Sequence, residues 1–347
     1  MHKLTFFPGS RSVRAVSVAN PSRRCMSVRP LKYEHLPNMS GESSPQKPTS
    51  PPPRKKVTIA SLHALRQERT PITVLTAYDY PTARAASTNG IDITLVGDSL
   101  AQVCLGYSST TSLTLDEMLH HCRAVARGSS APFLVADMPF GSYYAGQEDT
   151  IRAAVRMLQE GNVEAVKLEG GSEISARVKA LTSIGIPVMA HVGLLPQRHT
   201  ALSGYRVQGR TAESARSILH SALALEEAGA FSIVLEAIPA SLAAYITSRL
   251  KVPTIGIGAG PGCSGQVLVW DDVMGTWAGH KAKFVRRFGD VKSEVERGVK
   301  AYTNAVRDGS FPHHEKEGYV MDDGEIEKLL EMEGDREWLW NPPKLFN

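Results

Sequence analysis

The chain has 347 residues, 42% hydrophobic and 21% charged, enough to bury a large core. Its formal charge of +4 is local: residues 1–33 hold seven Lys and Arg and no acid, and without them the charge becomes −3. The body therefore carries no basic nucleic-acid footprint, and no apolar run approaches the roughly 20 residues that cross a bilayer.

In chain order, residues 1–35 form an Arg- and Ser-bearing leader with no acid before Glu34 and no continuous apolar stretch. This reads as a mitochondrial transit peptide and predicts a matrix protein, with a merely disordered tail as the plainer alternative. Residues 36–56 are rich in Pro, Ser and Lys and read as a linker, with Arg54-Lys55-Lys56 as its solvated face. A helix is predicted from Thr58 or Ser61 onward. Apolar runs then fall at 72–78, 93–97, 133–136, 165–169, 186–192, 232–236, 253–257 and 266–270. Helical stretches at 80–89, 114–128, 148–160, 173–183, 211–228 and 239–250 separate most of them. Short apolar runs bounded by Gly or Pro are buried parallel strands. Eight of them with intervening helices predict a (β/α)8 TIM barrel over residues 57–312, with an N-terminal helix and a disordered N-terminal extension. An open doubly wound sheet is the alternative, but no Gly-x-Gly-x-x-Gly follows the first strand. Residues 313–347 form an acidic C-terminal extension, read as an added helix or a mobile tail. None of Cys25, Cys104, Cys122 and Cys263 forms a C-x-x-C pair, so reduced thiols are expected rather than a disulfide framework or a zinc site.

Four of the strand runs end in an acid: Asp98, Asp137, Glu169 and Glu236. A carboxylate at the carboxyl end of a barrel strand faces the side where such enzymes keep their chemistry. Asp98 and Asp137 suit a hard cation such as Mg²⁺, which takes carboxylate oxygens and keeps several waters, and Glu169 is a candidate third ligand. Each Asp alone is equally a helix N-cap. Lys167 shares a strand face with Glu169, for a substrate carboxylate or as an interior ion pair. Glu236 is a candidate general base or a cap for the helix near Pro239. His191 reads as a hydrogen-bonding rim residue rather than a ligand. The long loop from Gly193 to Gly209 is expected to be functional. The run Gly256-Ile257-Gly258-Ala259-Gly260 suits an anion cradle, tight packing or a planar ring.

Taken together, the chain resembles the ketopantoate hydroxymethyltransferase (3-methyl-2-oxobutanoate hydroxymethyltransferase) family. The matching motifs, in family order, are Thr76-Ala77-Tyr78-Asp79-Tyr80, Val96-Gly97-Asp98-Ser99-Leu100, Ala136-Asp137-Met138-Pro139-Phe140, Val166-Lys167-Leu168-Glu169-Gly170-Gly171, His191-Val192-Gly193-Leu194, Gly204-Tyr205-Arg206-Val207-Gln208-Gly209-Arg210, Val234-Leu235-Glu236 and the glycine run above. The resemblance implies a (β/α)8 barrel, Mg²⁺, 5,10-methylenetetrahydrofolate as co-substrate, 3-methyl-2-oxobutanoate as acceptor and a homo-oligomer, a decamer in the family. It also implies that Asp98 and Asp137 bind Mg²⁺ with Glu169 completing the shell, and that Asp98, Ser99, Asp137 and Lys167 contact the 2-oxo acid. Glu236 is then the proton acceptor, His191 lies behind the metal ligands, and a metal-stabilised enolate attacks the one-carbon unit to give 2-dehydropantoate, a step of pantothenate and coenzyme A synthesis. The stretch Leu195-Pro196-Gln197-Arg198-His199-Thr200 departs from the family pattern and leaves the folate contacts unassigned. A phosphoenolpyruvate-mutase-like lyase would need a reactive Cys in a Lys-Cys-Gly-like loop, and the chain has none. A barrel kept only for assembly would have lost its carboxylates, and they are present.

Overall fold

The structure, a computed structural model, describes residues 54–340 except 280, 323 and 336. The leader and the linker as far as residue 53 lie outside the described residues. Eight strands close into one parallel barrel in sequence order: β1 (Ile72–Thr76), β2 (Ile93–Val96), β3 (Phe133–Asp137), β4 (Ala165–Glu169), β5 (Val188–Gly193), β6 (Ser232–Glu236), β7 (Thr254–Ile257) and β8 (Gly265–Leu268). Helix α1 (Ile59–Gln67) precedes the barrel. Helices α2 (Tyr80–Thr88), α3 (Leu100–Val103), α4 (Leu115–Gly128), α5 (Gln147–Gln159), α6 (Ser175–Ser183), α7 (Ala212–Glu227) and α8 (Ala240–Arg249) connect the strands as far as β7. The link from β7 to β8 has no helix.

Several helices begin where a side chain satisfies the free backbone N–H groups of the first turn. Thr58, Asp79, Thr114 and Thr211 each close a capping box with the residue three positions on, an arrangement typically contributing about 1 kcal/mol. Alternation along the strands then sorts the apolar residues. Ile72, Val74, Leu95, Val135, Val234 and Val267 pack in one cluster that includes Leu62 of α1, so this helix plugs the amino-terminal mouth. Their neighbours Leu134, Val166, Leu168, Ala190, Ile233 and Leu235 belong to a second cluster shared with the outer helices. With two apolar layers filling the lower barrel, the next inward positions are Asp137 on β3, Lys167 and Glu169 on β4, His191 on β5 and Glu236 on β6.

Two expectations need correction, and a third needs an addition. The cluster Arg54-Lys55-Lys56 is exposed, as a solvated face should be, but two of its side chains have partners on the barrel. Arg54 bonds to the Ile91 carbonyl at 2.6 Å and pairs with Asp92, while Lys56 bonds to Glu164 and the Pro132 carbonyl, both at 2.5 Å. These partners precede β2, β3 and β4, so the end of the linker is tied across the bottom of the barrel. The last strand stops at Leu268, because the Trp270 N–H turns to Thr76 Oγ1 (2.8 Å) and α9 (Trp270–Met274) begins, with Asp271 and Asp272 in its first turn. Beyond it α10 (Val291–Arg307) is a helix that no apolar-run reading separated from the barrel. None of its residues is buried, and Val295, Val299 and Tyr302 are 56%, 61% and 62% exposed along one face. The acidic tail contains α11 (His314–Glu317), α12 (Glu325–Glu333) and α13 (Glu337–Trp340). No described helix is long and apolar enough to cross a membrane.

Candidate active site

The strand register builds the site. β3 and β4 pair Asp137 with Lys167, and β4 and β5 pair Glu169 with His191, so four ionisable side chains lie side by side at the carboxyl end of the barrel. All four are buried. Lys167 Nζ lies 2.7 Å from Asp137 Oδ1 and 3.7 Å from Glu169 Oε1. Burial opposes its charge, but Asp137, Glu169 and Asp98 outweigh that and hold the ammonium protonated, its pKa raised. Asp98 follows β2; its own N–H donates to Asp137 Oδ2 at 3.0 Å, and its Oδ2 accepts from Gln197 Nε2 at 2.9 Å. Neither Asp acts as a helix cap. Helix α3 has no side-chain cap and α5 starts after Gly146, while α8 is preceded by Pro239 rather than by Glu236.

The cluster is short of positive charge. Desolvation, then the neighbouring Asp137 and Glu169, push the Asp98 carboxyl well above its ordinary range. Three carboxylates share Lys167 and, at Glu169, His191, and a divalent cation would supply the charge that the set still lacks. Among the described residues no group of three or more His, Cys, Asp or Glu side chains is placed to hold a metal ion. A hard ion that keeps its waters needs only one or two protein carboxylates, and Asp98 and Asp137, joined by the Asp98 N–H at 3.0 Å, are the pair that could hold it, with Glu169 beside them.

His191 stands between this cluster and Glu236, with Nδ1 3.6 Å from Glu169 Oε1 and Nε2 3.2 Å from Glu236 Oε2. Both contacts favour the protonated ring. Burial and Lys167 push its pKa down, yet the two glutamates prevail and raise it to about 9. Glu169 is lowered, because His191 and Lys167 outweigh its burial. Glu236 is the most open member of the set, its side chain 15% exposed to a cavity of about 1460 Å³. Gly193 allows this placement: it has φ 101°, and a Cβ there would stand 2.3 Å from the Glu236 carbonyl oxygen.

Ser99 lines the same cavity. Its hydroxyl lies 2.9 Å from that of buried Tyr78, which accepts from Thr76 at 2.7 Å and is kept protonated by burial. The glycine run borders the cavity through Gly258 and Gly260 and is tightly packed on the side where a Cβ would stand. A Cβ on Gly258 would meet the Phe284 ring at 2.8 Å, and one on Gly260 would meet Ala240 Cβ at 2.4 Å. The Gly193–Gly209 loop does enter the site, through Gln197 inside the cluster and Tyr205 and Arg206 along the cavity. Tyr78 and Gln197 are the residues that sequence reasoning missed. A polar residue in a short Pro-x-Arg turn gives no sign that it folds inward. No described thiol is activated: burial raises Cys263 and pushes Cys104 and Cys122 up to about 12.

Residues 56–314 match the ketopantoate hydroxymethyltransferase family. A 3-methyl-2-oxobutanoate hydroxymethyltransferase of Heliobacterium modesticaldum is 49% identical over 269 residues, covering 78% of this chain and 97% of the relative. That of Pelobacter propionicus is 52% identical, covering 76% and 97%, and that of Emericella nidulans 48%, covering 75% of each. Among solved structures, a phosphonopyruvate hydrolase complexed with oxalate and Mg²⁺ superposes with a TM-score of 0.51 at 16% identity, covering 82% of this chain and 99% of its own. That likeness concerns the barrel alone. With a family match over most of the chain and relatives near 50% identity, the chain belongs to the ketopantoate hydroxymethyltransferase family of enzymes.

Proposed function

We propose that this enzyme transfers the one-carbon unit of 5,10-methylenetetrahydrofolate to C3 of 3-methyl-2-oxobutanoate, giving 2-dehydropantoate at the first committed step of pantothenate synthesis. The observation that carries the reading is the buried, cation-deficient cluster of Asp98, Asp137 and Glu169, which Lys167 only partly neutralises and which adjoins Glu236 across His191. Mg²⁺ held by Asp98 and Asp137, with Glu169 completing the shell, supplies Lewis acidity toward the 2-oxo group. Lys167 and Ser99 receive the 2-oxo acid, the ammonium offsetting its carboxylate. Glu236 removes the proton from C3 and is held in place by His191. C3 then bonds to the folate methylene carbon as one of its two carbon–nitrogen bonds breaks, and a water oxygen bonds to the same carbon as the second breaks; the two freed nitrogens take the proton held by Glu236 and one from the water. The cavity beside Glu236 supports a large second substrate: Tyr205, Trp277 and Phe284 offer flat apolar faces, and Lys283 and Arg286 offer charge for an acidic tail.

Two further readings belong with this proposal. The exposed apolar face of α10 supports a homo-oligomer, the decamer of the family, since a stripe of that kind in water is costly unless a subunit covers it. The basic, acid-free leader supports import into the mitochondrial matrix. The enzyme is tested by following 2-dehydropantoate with the folate donor and Mg²⁺ present, and with each withheld in turn. Product is expected only with both. Undiminished turnover in a metal-free preparation, or without folate, overturns the reading.

A further inference from the structure

Gln197 is the middle residue of a single 3-10 turn, Pro196–Arg198, in the loop that follows β5. Although it belongs to a rim loop it is 3% exposed, and it bonds to groups at the ends of three strands. Its side-chain nitrogen donates to Asp98 Oδ2 at 2.9 Å, after β2, and to the Met138 carbonyl at 3.0 Å, after β3. Its main-chain N–H donates to Glu169 Oε2 at 3.1 Å, at the end of β4. Its side-chain oxygen accepts from the buried Tyr143 hydroxyl at 2.6 Å. Both amide protons are thereby used, and the oxygen is spoken for by a donor. The Tyr143 bond also fixes which end of the amide faces Asp98, because reversing it would set the amide nitrogen against the phenolic proton and leave the amide oxygen facing a carboxylate.

We infer that Gln197 is a positioning residue for the cation-binding carboxylates, fixing Asp98 by one oxygen so that the other is left for the ion and its ligand, and holding Glu169 by Oε2 so that Oε1 stays turned to Lys167 and His191. The inference rests on the proposed cation site. A neutral amide suits this task better than a second lysine. It orders the two carboxylates without adding a positive charge that would compete with the ion. The same loop carries Tyr205 and Arg206 along the cavity, so the turn that sets the carboxylates also anchors part of the second-substrate wall. Groups that orient metal ligands from behind typically contribute ~10–100-fold in metal affinity.

The test uses the full chain and Mn²⁺ alone, read by the electron paramagnetic resonance signal of the free ion, beside thermal unfolding without metal. Gln197→Met keeps the length and buries no new polar group. Tyr143→Phe is the milder variant, removing only the hydroxyl that orients the amide. Gln197→Met should weaken Mn²⁺ binding by about 10–100-fold and Tyr143→Phe by a smaller factor, with kcat falling in the same order. Asp137→Asn is the control for the cation site. If Asp137→Asn loses Mn²⁺ while both other variants bind it as the wild type does, Gln197 is not a positioning residue, whatever their melting temperatures. If Asp137→Asn itself binds Mn²⁺ like the wild type, it is the cation site that fails.

Discussion

Replacing Lys167 by Met removes the cation nearest Asp137 and one of the two beside Glu169. At an effective dielectric of about 20, the 2.7 Å contact with Asp137 corresponds to a gross attraction of about 6 kcal/mol and the 3.7 Å contact with Glu169 to about 4 kcal/mol. Desolvating the ammonium offsets much of this, and breaking a buried pair by deleting one partner typically costs ~3–5 kcal/mol. For a barrel of this size that is a fall in Tm on the order of 10 °C. The sign of the environment can be checked in the same experiment. The orphaned carboxylates would take up protons, so the deficit relative to wild type should shrink as pH falls. Millimolar Mg²⁺ should raise the Tm of Lys167→Met more than that of wild type, because the ion replaces the missing charge. Differential scanning calorimetry with and without Mg²⁺, at two pH values, measures all three effects. A metal-free variant that melts within about 2 °C of wild type would refute the charge balance argued for this cluster.

Three other expectations are independent of it. The His191 pKa is raised from 6.5 to about 9, so its contribution is complete below pH 6.5 and is lost as pH rises through 9. The stability difference between wild type and His191→Asn in urea should therefore shrink by on the order of 3 kcal/mol between pH 6.5 and 9.5, and a constant difference would show that the ring is neutral throughout. Gly193→Ala would drive a Cβ against the Glu236 carbonyl, so turnover should fall by about 10²-fold while Mn²⁺ affinity stays near wild type; unchanged turnover would show that Glu236 tolerates displacement. A chain beginning at Val57 loses the Arg54 and Lys56 ties, whose side chains are 38% and 40% exposed. Urea unfolding should show a loss of only about 1–2 kcal/mol with kcat intact, and a larger loss would mean that the linker end does more than these two pairs.

The barrel was legible because parallel strands buried on both faces leave short apolar runs, and all eight ended within two residues of the expected position. At β8 the two-residue difference arises because Trp270 continues the apolar pattern but its N–H turns to Thr76. The acids at strand ends were legible for the same reason: period-two alternation carries Val135 to Asp137 and Ala165 through Lys167 to Glu169. What sequence could not show is reach across the barrel. Gln197 meets Asp98 across 99 positions, and nothing local to Pro196-Gln197-Arg198 encodes that contact. The ambiguous Lys–Glu pair resolved as a tighter bond from Lys167 to Asp137, set by the β3–β4 register rather than by spacing within β4. The partners of exposed Arg54 and Lys56 were out of reach for the same reason, since Asp92 and Glu164 lie 38 and 108 residues away. Helix α10 was within reach of the sequence, for Val291, Val295, Val299, Tyr302 and Val306 repeat at helical spacing.

Proton removal from C3 by Glu236 is the step on which the proposed chemistry turns, and it can be observed without the folate. Deuterium entry at C3 of 3-methyl-2-oxobutanoate is followed by NMR in D₂O with Mg²⁺, for wild type and Glu236→Gln, alongside binding of the 2-oxo acid to each. The carboxamide keeps the shape of the side chain and its place beside His191 but cannot accept the proton, and a positioned base typically contributes ~10²–10⁴-fold. Exchange should slow by that order while the 2-oxo acid still binds. Exchange at the wild-type rate in a variant that binds substrate normally would contradict the account, because His191, held protonated, has no free lone pair to take over the proton.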